Sequence, residues 1–249
     1  MPQLRIIINC GPCEQYIRAC IASLRAQSYP SWTAFVSVDL SGDSTFDRAA
    51  DACRDEPRIN LTLNPEPRFA MENLVRGIKR SEAAPEDVIV VLDGDDWFRS
   101  NHALQTIAAT YRDTGCWMTY GSWVSNVAEM PGLWPAYPEG TTNFRQLRWL
   151  ATAVRTWKKW LWDLVDDRDL RDDQDAYFRV TEDMATMLPM LEMSGTDRAR
   201  HISEPLMLYN NANPAGAARV RRDEVRRNSR LIRSRPPYSR LEAGKAGKG

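Results

Sequence analysis

Three short stretches carry side chains able to do chemistry. DGDDW, Asp93 to Trp97, sets three carboxylates at the end of the apolar run VIVVL, Val88 to Leu92. Carboxylates crowded at the tip of a buried strand repel one another unless a cation or hydrogen-bond donors compensate. Hard oxygen ligands so arranged suit Mg²⁺ or Mn²⁺ sharing its coordination with a phosphate-bearing substrate. The same residues also spell a solvated turn with an Asp helix cap. CGPC, Cys10 to Cys13, has the spelling of a thioredoxin-type redox centre at a helix start, where thiolates are stabilised. TED, Thr181 to Asp183, opens a run of helical periodicity, which puts Asp183 in a first turn where the helix dipole favours the anion.

Composition narrows the choices. The five cysteines (Cys10, Cys13, Cys20, Cys53, Cys116) are an odd set without the spacing of a secreted disulfide framework, so reduced thiols are expected. No second CxxC or suitably spaced His completes a zinc site, and His102 and His201 lie far apart. A redox domain would also need elements before the motif and a cis-proline loop facing it, and neither is legible. No window of eighteen apolar residues and no basic-then-apolar leader is present, so a cytosolic protein without a membrane span is expected. Net charge is zero but uneven: Arg219 to Gly249 holds eleven Lys/Arg against three Asp/Glu, or +8, leaving −8 for the rest.

The elements that must position these groups follow from hydrophobic periodicity. Strands at Leu4–Asn9, Trp32–Val38, Ile59–Leu63 and Val88–Leu92 alternate with helices at Glu14–Gln27, Phe46–Arg54 and Phe69–Glu82. That alternation predicts an α/β fold with a central, mostly parallel sheet flanked by helices. VIVVL is apolar without alternation, as a strand covered on both faces must be. Ligands of such sheets lie beyond the carboxyl ends of the strands, here NCGPC, DLSGD, NPEPR and DGDDW. A helix from Asn101 to Arg112, a strand at CWMTY and a helix at Glu182–Glu192 with a Met/Leu stripe follow. The Trp- and Arg-rich stretch Phe144–Asp169 gives no clear helix.

QSYPSW followed by an apolar strand ending in Asp39, then VIVVLDGDDW, resembles the opening half of GT-A glycosyltransferases of family 2. The resemblance covers Leu4 to Phe98 and returns at TEDMATMLPMLEMSG and ISEPLMLYN. It implies a Rossmann-like domain over residues 1–215, with a nucleotide-sugar half at 1–98 and an acceptor half at 99–215, followed by a basic tail at 216–249. It implies a nucleoside diphosphate sugar, UDP-linked, as co-substrate and Mn²⁺ or Mg²⁺ as cofactor. Carried over, Asp39 contacts the nucleobase, Asp93 and Asp95 hold the ion and the ribose or diphosphate, and Asp183 is the general base of an inverting enzyme. Gly11, in the loop after the first strand, and Arg68, in NPEPR, join Asp39 and Asp93 as nucleotide-sugar candidates. CGPC departs from the family's text at that loop, so only its turn-forming Gly11 and Pro12 are carried over. The chemistry fits: a Lewis acid stabilises the leaving diphosphate, and a carboxylate takes the acceptor proton.

The acceptor half is rich in aromatics, among them Trp117, Tyr120, Trp123, Trp134, Tyr137, Trp149 and Trp157, which pack cores and also stack on sugars. RQLRWLATAVRTWKKW, Arg145 to Trp160, is either a charged solvent face or the lining for an anionic acceptor. The tail is expected to form a short helix and fray after Pro236, and its charge suits DNA or an anionic membrane surface. The acceptor is then a saccharide, a glycolipid or a hydroxymethylated DNA base. The competing readings are a non-catalytic nucleotide-binding module, a nucleotidyltransferase of the same fold, and a thiol-disulfide oxidoreductase.

Overall fold

The computed structural model describes residues 1–127, 131–132 and 134–242. In chain order the strands are β1 Leu4–Cys10, β2 Trp32–Asp39, β3 Ile59–Asn64, β4 Val88–Asp93, β5 Trp97–Phe98, β6 Met118–Ser125, β7 Pro131–Gly132, β8 Thr152–Lys158 and β9 Ala199–Tyr209. The helices are α1 Ile17–Arg25, α2 Thr45–Cys53, α3 Phe69–Arg80, α4 Ala103–Thr114, α5 Lys159–Trp162, α6 Glu182–Arg198, α7 Ala217–Val220 and α8 Arg222–Ser234. One sheet runs β3-β2-β1-β4-β8-β6-β9-β5, with β7 on β6. Its first four strands are parallel, as expected from βα units; β8 joins β4 and β6 antiparallel, and β9 returns parallel to β6.

Successive residues of the central strands feed opposite faces. Ile6, Ile8, Val88, Val90 and Leu92 pack with α1 and α4, whereas Ile7, Ile89 and Val91 pack with α3 and α6. This is why β1 and β4 read as continuous apolar runs. Gly77 of α3 lies against Ile7, where an added Cβ would come within 2.6 Å of the Ile7 side chain. α4 stops at Gly115, whose φ of 62° closes the helix in the left-handed conformation that glycine adopts without strain.

Two regions differ from the sequence-based expectation. Within the stretch that gave no clear helix, TAVRTWK forms β8 in mid-sheet, placing Arg155 and Trp157 opposite Val91 and Ile89. The basic segment, expected to fray after Pro236, is docked through residue 242. Ile232 is buried, Asn228 donates to the Val180 carbonyl, and the Leu241 amide donates to the Met193 carbonyl at 3.0 Å. A buried ion pair anchors it: Arg145 makes two bonds to Glu192, at 2.7 and 2.9 Å, and donates to the Ile232 carbonyl. The Tyr238 amide donates to the same Glu192 carboxylate. Arg233, Arg235 and Arg240 also bond to the body of the protein, so the tail's charge is in part internal. Residues 243–249 lie outside the described residues.

Candidate active site

The carboxyl ends of β1, β2 and β4 open on a cavity of about 1150 Å³ that α6, β8 and the segment after β9 complete. Gly11, Asp39, Asp93, Asp95 and Asp183 all line it, so one concavity gathers residues up to 172 positions apart (183 − 11). Arg68 is not among the lining residues; it pairs with Glu72 at 3.3 Å beside the start of α3.

Asp39 is fixed by three donors. Asn64 Nδ2 and Asn73 Nδ2 donate to Oδ1 at 2.9 and 3.0 Å, and the Phe69 amide donates to Oδ2 at 2.9 Å. This ties the end of β2 to β3 and to the first turn of α3, which holds the carboxylate still at the cavity wall. Gly94 has a steric reason: an added Cβ would stand 2.4 Å from Cys10 Sγ, so only glycine lets the turn after β4 lie on β1. Cys10 and Cys13 therefore serve the site as packing. Both are buried, and a hydrogen bond to Cys13 together with burial pushes the Cys10 thiol well up, the opposite of an activated thiolate.

The three carboxylates after β4 divide by orientation. Asp96 is 2 % exposed and accepts from the Asn210 amide at 2.8 Å, a structural tie to the end of β9. Asp95 accepts from Asn213 Nδ2 at 2.8 Å and lines the cavity. Asp93 also lines it, with Arg155 Nη2 3.7 Å away. Although its side chain is 36 % exposed, it sits at the cavity floor. Enclosure there raises its pKa to about 7, Arg155 opposing and Glu182 and Asp95 adding to the rise. Burial likewise raises Asp95, and raises Asp96 strongly.

These residues fit a divalent cation. The site presents hard oxygens and an acidic cluster short of positive charge. Among the described residues no group of three or more His, Cys, Asp or Glu side chains is arranged to hold a metal unaided. Two carboxylates with the remaining positions left to phosphate and water is how Mg²⁺ and Mn²⁺ are held beside diphosphates.

Asp183 stands in the first turn of α6, after Thr181 with φ 72°. Its Oδ2 accepts from Trp149 Nε1 at 3.0 Å. The helix-dipole argument from sequence favours an ionised group, but burial and the adjacent Glu182 win and raise its pKa, against Arg155 and Trp149. Glu182 takes the other guanidinium nitrogen of Arg155 at 3.1 Å. Arg155, 6 % exposed, thus joins the tip of β4 to the start of α6. Arg155 carries no mark of its own in the sequence: TAVRTWK has no strict alternation, and only its pairing in the sheet puts Arg155 opposite Val91.

The aromatic residues sort cleanly. Trp117, Tyr120, Tyr137 and Trp157 are core, while Trp123, Trp134 and Trp149 are half-buried and line the cavity beyond Asp183. No described helix is long and apolar enough to cross a membrane.

The model of the family described as glycosyl transferase family 2 matches residues 6–168. No curated protein matches the chain. Among solved structures, S. aureus TarS 1–349 in complex with UDP-GlcNAc is similar at 15% identity over 92% of this chain and 65% of that one, TM-score 0.63. The longer S. aureus TarS aligns at 17% identity over 92% of this chain and 39% of that one, TM-score 0.65. The mannosyltransferase PcManGT from Pyrobaculum calidifontis, in complex with GDP-Man and Mn²⁺, aligns at 15% identity over 95% and 66%, TM-score 0.64. This chain therefore spans less than two thirds of the length of each, and at such identities the likeness is one of fold. Matched over well more than half its length, the chain belongs to glycosyl transferase family 2 and has the GT-A fold.

Proposed function

We propose that this chain transfers a sugar from a nucleoside diphosphate donor, UDP-linked, to an acceptor hydroxyl, with inversion at the anomeric carbon. The observation that carries the reading is the meeting in one cavity of Asp39, Asp93 and Asp95 with Asp183, contributed by separate elements. Asp39, held by Asn64, Asn73 and the Phe69 amide, faces the nucleobase. Asp93 and Asp95 hold the Mn²⁺ or Mg²⁺, and the ion when bound offsets charge on the departing diphosphate. The acceptor oxygen attacks the anomeric carbon as the bond to the diphosphate oxygen breaks, and Asp183 takes the acceptor proton. Its raised pKa suits it to that task, because a stronger base accepts the proton more readily. Arg155 pairs with Asp93 and with Glu182, the neighbour of Asp183, and so offsets the repulsion among these carboxylates.

The test is release of nucleoside diphosphate from UDP-glucose, UDP-GlcNAc and GDP-mannose with Mn²⁺ against Mg²⁺. Nucleotide binding without turnover of any of them would favour a binding module. Absence of both binding and turnover would remove the reading.

A further inference from the structure

The cavity is partitioned by charge. Arg179, Arg219, Arg221 and Arg222 line it, and Arg179 and Arg221 stack on Phe69 at 3.9 and 5.1 Å. The Phe69 amide donates to Asp39, so Arg179 and Arg221 lie at the nucleobase end, whereas Arg219 donates to the Asn211 carbonyl. The far end is different. Trp123, Trp134 and Trp149 line it with Thr152; Trp149 donates to the Asp183 carboxylate, and the adjacent Glu182 is paired with Arg155. Trp123 is braced by Tyr209, ring to ring at 4.9 Å, and by Gly132, where an added Cβ would stand 2.4 Å from its ring. Arg148 stacks on Trp134 at 4.4 Å but is not a lining residue. An aromatic wall beside carboxylates suits an uncharged ring with apolar C–H faces and peripheral hydroxyls. It repels a phosphate-bearing chain.

We propose that the acceptor is a neutral saccharide whose ring lies against Trp149 and Trp134, and that Trp149 also positions the base through its indole N–H. The second role follows from the 3.0 Å bond to Asp183 Oδ2, which fixes the direction the carboxylate faces. One side chain thus sets both where the sugar ring lies and which way the carboxylate points. The proposal rests on the transferase reading above, and its test separates the two.

Trp149→Phe keeps an aromatic face, though a smaller one, and removes the N–H. On whichever of the three nucleotide sugars the wild type hydrolyses, kcat is expected to fall roughly 10-fold, a fraction of the 10²–10⁴ that a general base supplies, with donor KM unchanged. Loss of a hydrogen bond to the anion raises the pKa of Asp183, so the acidic limb of the kcat profile moves to higher pH. Glu182 on the same helix, Arg155 from β8, Asp93 from β4 and the hydroxyls of Tyr137 and Tyr209 also act on this carboxylate, and the substitution leaves them in place. A lowered Tm with altered KM and an unmoved limb would mean that Trp149 only packs.

For the acceptor, gluco-, chito- and mannotriose are titrated by tryptophan fluorescence in the presence of UDP and Mn²⁺. At least one is expected to bind, with affinity about tenfold lower in Trp134→Ala. Binding of none, or of a hydroxymethylcytosine oligonucleotide or phosphatidylglycerol vesicles in their place, overturns the saccharide assignment. Failure of the wild type to take up UDP at all overturns the transferase reading instead.

Discussion

Asp183→Asn isolates the proton-accepting role. Asparagine has nearly the shape of aspartate, and its Oδ1 still accepts the Trp149 N–H, so the start of α6 keeps its geometry. The amide cannot take a proton near neutral pH. Removing a general base costs about 10²–10⁴ in rate, or roughly 3–5 kcal/mol at 1.36 kcal/mol per decade. Stability should move the other way. The folded-state pKa of Asp183 is raised, so its contribution to stability is present below the unfolded value and lost as pH rises through the folded one. A neutral residue escapes that loss, so Tm at pH 8 should be equal to or above that of wild type. The assay is steady-state release of UDP from a UDP-sugar with Mn²⁺, paired with calorimetric UDP binding, which should be unchanged because Asp39, Asp93 and Asp95 are untouched. Turnover above about a tenth of wild type with normal UDP binding would refute the reasoning.

Three further outcomes follow from the same groups. In chelator, thermal stability should fall as pH rises through about 7, where Asp93 ionises, and Mn²⁺ should flatten that slope; identical melting profiles with and without Mn²⁺ would count against ion binding at this tip. Arg155→Met should destabilise by about 3–5 kcal/mol in denaturant, since it strands Asp93 and Glu182 without their cation; a loss under 1 kcal/mol would show that the pairing is of little weight. Deleting residues 222–249 removes the Ile232 carbonyl and the Tyr238 amide from the buried Arg145–Glu192 pair, so the remainder should melt well below the full chain; an unchanged Tm would mean that the docked tail is dispensable.

The first half of the fold was legible because its strands are buried on both faces. Leu4–Cys10 and Val88–Asp93 need no alternation to be recognised, and the turn residues after them mark the site directly. β8 was hidden because its inward positions include Arg155, a charge that on composition alone reads as surface and is buried only where Glu182 and Asp93 await it. The tail misled in the same way. Its arginines suggested a solvated chain, yet Arg233 and Arg235 donate to the carbonyls of Leu147 and Asp169, partners that no local pattern discloses. The first-turn position of Asp183 was legible in the sequence, but its electrostatics depend on Arg155 and Trp149, distant in sequence, as well as on the adjacent Glu182.

The two halves of the sheet hold their cavity residues in different ways. The parallel strands carry Asp39 and Asp93 at the ends of β2 and β4, with Asp95 just beyond; Asp39 is fixed by register and by Asn64 and Asn73, Asp93 by register and Arg155, and Asp95 by Asn213. Asp39 and Asp93 cannot drift without breaking the sheet, and Asp95 is tied to Asn213 beyond it. The aromatic end rests instead on β6, β8 and the loops around Trp134 and Trp149, which are joined to the frame through β9, paired with β5 after β4, and through the antiparallel seam of β4 with β8. Arg155 is the side chain on that seam that touches both halves. On the proposed function, substitutions on the β6 side are expected to reshape the aromatic wall while Asp39, Asp93 and Asp95 stay in place, whereas a change at Arg155 disturbs both at once.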